Sequence, residues 1–122
     1  MKHILIVDDE KDLAVMMGQM LKLENFTVSI EHDSINARDT FVAAPDKYDL
    51  VITDQVMPGM FGVVLAGELK KIRPDIPIIL CTGYGKGLSE TDVKGNGIQE
   101  VLFKPFSMKR LHQTVQRVFD EA

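Results

Sequence analysis

One cysteine stands in the whole chain, Cys81, so no internal disulfide is available. A lone thiol fits a reducing compartment. No run of Lys and Arg occurs, and 14 basic residues against 18 acidic ones leave a net charge of -4. That balance offers no electrostatic footprint for nucleic acid or an anionic membrane surface, and neither is expected as a partner. No apolar stretch has the length needed to cross a bilayer, and Met1-Lys2-His3 leads directly into a strand-like run that meets acid at Asp8. The start does not read as a signal peptide, and a cytoplasmic location is expected. Repeats, linkers and low-complexity segments are also missing. The 122 residues, 45% hydrophobic and 26% charged with mean hydropathy +0.01, are expected to form one domain over 1–122 with a core that needs no staples.

What is present is an alternation of short branched apolar runs with helical patterns, five times over. A strand is expected from about His3 to Val7. Leu13, Met16, Met17, Met20 and Leu21 then form one helical stripe, with Asn25 able to take the left-handed conformation that closes a helix. Phe26, Val28 and Ile30 alternate with polar residues, the pattern of an edge strand. Ser34 is the expected cap of a second helix that stops near Pro45. Leu50-Val51-Ile52 reads as a strand buried on both faces. A third helix over about Gly62 to Ile72 turns Leu65, Leu69 and Ile72 inward, and a buried strand follows over Ile76 to Cys81. A weak helix near Ser89 to Lys94, a short strand from Glu100 to Phe103 and a helix capped by Ser107 complete the chain. Met108, Leu111, Val115, Val118 and Phe119 of the last helix face the core.

Strands alternating with helices imply a parallel, doubly wound α/β sheet, because parallel neighbours need a crossover. Ligands of such sheets bind beyond the carboxyl ends of the strands. Polar residues follow the apolar runs at just those ends: Asp8 and Asp9, Asp54, Thr82 and Lys104. Alone, each has an ordinary reading, as a solvated turn, a cap or a surface charge. Together they converge. Clustered carboxylates raise one another's pKa and call for a cation, and hard oxygen ligands suit Mg2+, with Mn2+ a second fit. Thr82 and Lys104 are the hydroxyl and ammonium that would hold a phosphoryl group, and Asp54, on the most buried strand, is the expected nucleophile.

The motifs "LIVDDE" at 5–10, "DLVITDQVMPGMFG" at 49–62, "IILCTGYG" at 78–85 and "LFKPF" at 102–106 resemble those of response-regulator receiver domains, the phosphoacceptors of two-component signalling. "CTGYG" and "GIQEVLFKPF" look loosely like receivers attached to hybrid histidine kinases. The resemblance implies a flavodoxin-like sheet of order 2-1-3-4-5 with five helices. It implies phosphorylation of Asp54 from a phosphohistidine on a sensor histidine kinase or histidine phosphotransfer protein. Direct metal ligation by Asp9, Asp54 and the Val56 backbone carbonyl, help from Asp8 through water, phosphoryl contacts from Thr82, the Gly83 amide and Lys104, and a cis Lys104-Pro105 bond follow from the same source. So does an output face on the fourth helix, fifth strand and fifth helix. Such a domain is a signalling module that takes part in its own phosphorylation and dephosphorylation, not an enzyme in the usual sense. The rival reading is an unphosphorylated pseudo-receiver that acts as a scaffold.

Two departures from the family pattern stand out. Val101 occupies the place where many receivers carry an aromatic switch residue, and five of the nine glycines, at 83, 85, 87, 95 and 97, crowd around the fourth helix. Glycine disfavours helix, so that helix is expected to be short or mobile, its order carrying the signal in place of an aromatic flip. Val56 and Tyr84, two residues past Asp54 and Thr82, are modulating positions in the family, although Tyr84 is equally open to reading as a loop aromatic. A haloacid-dehalogenase-type phosphatase would want an acid two residues after the nucleophile, where Val56 stands. A flavin carrier would need a phosphate-cradling first loop instead of an acidic one. Cys81, the Met16-Met17-Met20 group and His3, His32 and His112 read as packing or surface residues.

Overall fold

The computed structural model describes residues 1–83 and 88–121. The five strands are β1 (His3–Val7), β2 (Thr27–Glu31), β3 (Leu50–Asp54), β4 (Ile78–Thr82) and β5 (Glu100–Phe103). The helices are α1 (Lys11–Leu23), α2 (Ser34–Ala43), α3 (Gly62–Ile72), α4 (Glu90–Gly95) and α5 (Met108–Glu121), with a 3-10 turn at Pro45–Lys47. All strand pairs are parallel, and the sheet order is β2-β1-β3-β4-β5, the flavodoxin-like arrangement expected.

The unbroken apolar runs follow from the two-residue period of a strand with a packed layer on each side. Leu5, Val7, Val51, Ile78 and Leu80 point to one face, where Phe41 of α2 and Leu65, Ala66 and Leu69 of α3 meet them. Ile4, Ile6, Leu50, Ile52, Ile79 and Cys81 point to the other, against Met17 and Leu21 of α1 and Leu111, Val115 and Val118 of α5. Full burial of each such side chain contributes about 1.5–3 kcal/mol. Cys81 is one of them; its burial pushes the thiol above the usual range, so it stays a small apolar group.

Local signals act largely as expected. Asn25 takes φ 69°, and the amides of Asn25 and Phe26 donate to Lys22 and Leu21 carbonyls at 3.1 Å, closing α1. Ser107 Oγ accepts from the Arg110 amide at 3.0 Å, and Ser89 forms a reciprocal capping box with Asp92 at the start of α4. α4 has only six residues, the short helix expected of its glycines.

Four expectations need correction. The cap of α2 is Asp33, whose carboxylate accepts from the Asn36 amide at 2.8 Å. Ser34 is instead buried, its hydroxyl donating to the Pro58 carbonyl at 3.0 Å and accepting from the Met60 amide, which anchors the loop after β3. Ile72, at the end of α3, is 40% exposed, and Met16 is 52% exposed. The α1 stripe is centred on Ala14, Met17, Gly18 and Leu21, because the small residues let the helix lie close to β2; a Cβ on Gly18 would stand 3.2 Å from Ile30 Cδ1. The edge strand β2 alternates less than its sequence does. Its polar side is covered, Ser29 by the His3 ring at 2.6 Å and Glu31 by the Thr40 hydroxyl at 2.9 Å.

Candidate functional site

Strand register carries the polar residues to one edge. Val7 lies opposite Thr53, Asp54 opposite Cys81 and Thr82 opposite Phe103, so Asp8, Asp54, Thr82 and Lys104 all emerge at the carboxyl end of the sheet. Asp8 and Asp54 are 1% and 7% exposed. Asp54 is held by the loop that follows it. Its Oδ1 accepts from the Gln55 amide at 2.9 Å, the Gly62 amide donates to the Gln55 carbonyl at 2.8 Å, and the Val63 amide to Gln55 Oε1 at 3.0 Å. Only glycine fits at 62, since a Cβ there would stand 2.3 Å from the Asp54 carbonyl oxygen. Asp8 Oδ1 accepts from the Glu10 amide at 2.9 Å.

Lys104 crosses this group. Its amide donates to the Thr82 carbonyl at 2.8 Å, and its Nζ lies 3.3 Å from Asp54 Oδ2, 3.5 Å from Asp8 Oδ2 and 3.3 Å from Glu10 Oε1. Burial holds the Asp54 carboxyl above the usual carboxylate range, against the pull of Lys104, and Asp9 adds to the rise. Asp8 is raised by burial first and by Asp54 in addition. Lys104 loses by desolvation and gains more from the two acids, so its ammonium is held above its ordinary value.

A cavity of about 340 Å³ opens over this group, lined by Asp9, Glu10, Asp54, Gln55, Val56, Thr82, Gly83 and Lys104. Carboxylate oxygens of Asp8, Glu10 and Asp54 can all lie within 4.8 Å of one another. A clustered set of hard oxygen donors, two of them buried, fits a small divalent cation. Asp9 is exposed and lines the cavity without joining that carboxylate group. Glu10 does join it, and sequence reasoning assigned it no part. The signal available was its place in the "DDE" triplet, where the third acid looks like an ordinary helix N-terminal charge.

The peripheral positions also have places. Val56 is 68% exposed at the cavity mouth. The Lys104-Pro105 bond is cis, as the resemblance implied. Val101 is half-buried and borders a second cavity of about 270 Å³ together with Thr82, Leu88, Val93 and Phe103. Tyr84 lies outside the described residues, as do Gly85 and Gly87.

A flavodoxin-like sheet that gathers buried acids, a hydroxyl and a lysine at its carboxyl edge defines a class of α/β protein with an acidic, phosphoryl-compatible pocket. The profile of the response regulator receiver domain matches residues 4–116, and the chain belongs to that family. It is 35% identical to the C4-dicarboxylate transport transcriptional regulatory protein DctD of Rhizobium meliloti, over 93% of this chain and 24% of that protein. It is 32% identical to the sensor kinase CckA of Brucella abortus, over 97% of this chain and 12% of that protein. Among solved structures, the response regulator TrrA of Thermotoga maritima in complex with Mg2+ and BeF aligns with TM-score 0.86 and 32% identity, covering 97% of this chain and 99% of that one. The chain thus spans a quarter or less of these two curated relatives, one of them a transcriptional regulator, and the expectation of no nucleic-acid partner gains no support from them. Among the described residues, no helix is long and apolar enough to cross a membrane.

Proposed function

We propose that residues 1–122 act as one receiver unit in which Asp54 accepts a phosphoryl group from a phosphohistidine on a sensor histidine kinase or histidine phosphotransfer protein. A carboxylate oxygen of Asp54 attacks phosphorus, an O–P bond forms, the P–N bond to the donor imidazole breaks, and its electron pair returns to the ring nitrogen. The observation that carries this reading is the Lys104 ammonium lying 3.3 Å from the buried Asp54 carboxylate, on a strand end beside Thr82. Lys104 opposes the effect of burial on the Asp54 carboxyl and is placed to take charge from the transferred group; Thr82 and the Gly83 amide, lining the same cavity, would bind its remaining oxygens. Asp9, Asp54 and the Val56 carbonyl would hold Mg2+ or Mn2+ directly, with Asp8 acting through water. The cation would offset the repulsion among carboxylates and phosphoryl oxygens.

Thr82 borders both the Asp54 cavity and the one formed with Val101, Leu88 and Val93. A shift of its side chain toward a phosphoryl group would therefore alter packing under α4, and the signal would leave through the face of α4, β5 and α5. Val56 and Tyr84 would tune the lifetime of the phosphoryl group. Intact-protein mass after incubation with acetyl phosphate and Mg2+ tests the proposal. A Mg2+-dependent gain of about 80 Da, one phosphoryl group on a carboxylate, is expected for the wild type and none for Asp54→Asn. An unmodified wild type, with acetyl phosphate and with a phosphorylated kinase alike, would favour the pseudo-receiver.

A further inference from the structure

Glu10 has no part in the reaction as proposed, yet it is built into the site. Its main chain is fixed, the amide donating to Asp8 Oδ1 at 2.9 Å and the carbonyl accepting from the Ala14 amide at 3.0 Å. Its side chain is 63% exposed and reaches Lys104 Nζ at 3.3 Å. Glu10, Gly83 and Lys104 also line a neighbouring cavity of about 360 Å³ with Leu13, Pro105 and Phe106, so the Glu10–Lys104 pair stands between the two openings. One ammonium is thus shared by three carboxylates of unequal freedom. Asp8 and Asp54 are buried at strand ends and cannot withdraw, whereas Glu10 can rotate into solvent.

A phosphoryl group arriving at Asp54 needs that ammonium, and it enters past the acids Asp9 and Glu10. We infer that Glu10 sets the phosphodonor specificity of this site by competing for Lys104. A small, freely diffusing phosphorylated anion brings almost no binding energy beyond the phosphoryl group itself, so it meets the full cost of displacing Glu10 and of the like-charge approach. A donor carried on a protein gains energy from contacts remote from the reacting atoms and can offset that cost. Glu10 is a positioning residue here, acting through Lys104. This inference rests on Asp54 being the phosphoacceptor.

The test compares wild type, Glu10→Gln and Glu10→Asp, measuring the rate of phosphorylation by acetyl phosphate with Mg2+ by intact mass, at low salt and at about 0.15 M ionic strength. Both substitutions keep the main-chain bonds of residue 10. Glu10→Gln is expected to react about two- to fivefold faster at low salt, the size of one exposed ion pair. Added salt should accelerate the wild type by screening the repulsion, and accelerate Glu10→Gln less. Glu10→Asp, which keeps the charge, should stay slow. A Glu10→Gln rate and salt dependence equal to wild type would overturn the inference and leave the phosphoacceptor reading intact, as would equal acceleration by Asp and Gln. Absence of phosphoryl from all three proteins would overturn both.

Discussion

Replacing Lys104 with Met removes one charge from a group whose other members cannot readily leave, and the consequence for stability can be worked from the contacts. The pair with Glu10, 63% exposed, contributes less than about 1 kcal/mol after solvent screening. The pairs with Asp8 and Asp54, whose side chains are 2% and 9% exposed, are different. Breaking a buried ion pair costs about 3–5 kcal/mol because the surviving charge stays desolvated. Contacts of 3.3–3.5 Å are at the long end of hydrogen bonding, and the site opens to a cavity, so about 2–3 kcal/mol is the expected loss at neutral pH. For 122 residues, about 4 °C of melting temperature accompanies each kcal/mol, giving a fall of about 8–12 °C.

The pH dependence carries the more specific signature. Lys104 is held above its ordinary value in the fold, so its charge stabilises throughout the range below the unfolded lysine pKa. Asp8 and Asp54 are raised, and more so without the lysine. The folded Lys104→Met protein then binds protons that the unfolded chain does not, from the raised values down to the unfolded aspartate value, and its deficit shrinks as pH falls through that window. Thermal unfolding followed by circular dichroism at about pH 7.5 and about pH 5 reads both effects. A variant as stable as wild type at neutral pH, or one with the same deficit at both, would refute the claim that the lysine compensates buried ionised acids.

Asp54→Asn should move stability the other way. Burial raises the Asp54 pKa despite Lys104, so the ionised form costs the fold free energy above that raised value. Asn retains the acceptor for the Gln55 amide and leaves Lys104 paired with Asp8, so a gain in stability to urea at pH 7 is expected, fading as pH falls toward the unfolded value. Gly62→Ala would place a Cβ 2.3 Å from the Asp54 carbonyl oxygen and 2.7 Å from Leu80 Cδ1. Since backbone must yield, a loss of about 3 kcal/mol or more is expected, with slower phosphorylation of the displaced Asp54; a loss under about 1 kcal/mol would show that the loop after β3 is softer than its hydrogen bonds imply.

Most of the architecture was legible in local pattern. The continuous runs at Leu50 and Ile76, the alternation after Phe26 and the wide stripe of α5 each declare their element, because the periods of two and 3.6 residues act over a few neighbours. Acids, a threonine and a lysine at successive strand ends already indicated one polar edge. Their partition was not legible, since no local period says which strands are adjacent. The order 2-1-3-4-5 came from family resemblance, and the register that sets Asp54 opposite Cys81 belongs to the folded sheet.

Side-chain allegiance is likewise a tertiary matter. Ser34 and Asp33 are both good caps, and the choice fell to Asp33 because the Ser34 hydroxyl was claimed by the loop at Pro58 and Met60. Met16 and Ile72 satisfy a helical stripe, but close packing through Ala14 and Gly18, and the helix end at Ile72, turned them outward. Glu10 reads as the first acid of a helix until Lys104, 94 residues later, is folded against it. The sequence by itself determined the strands, the helices and the acidic edge, whose causes lie within a few residues. Only the tertiary structure decided which carboxylates share the lysine, because that depends on contacts between residues nearly a whole chain apart.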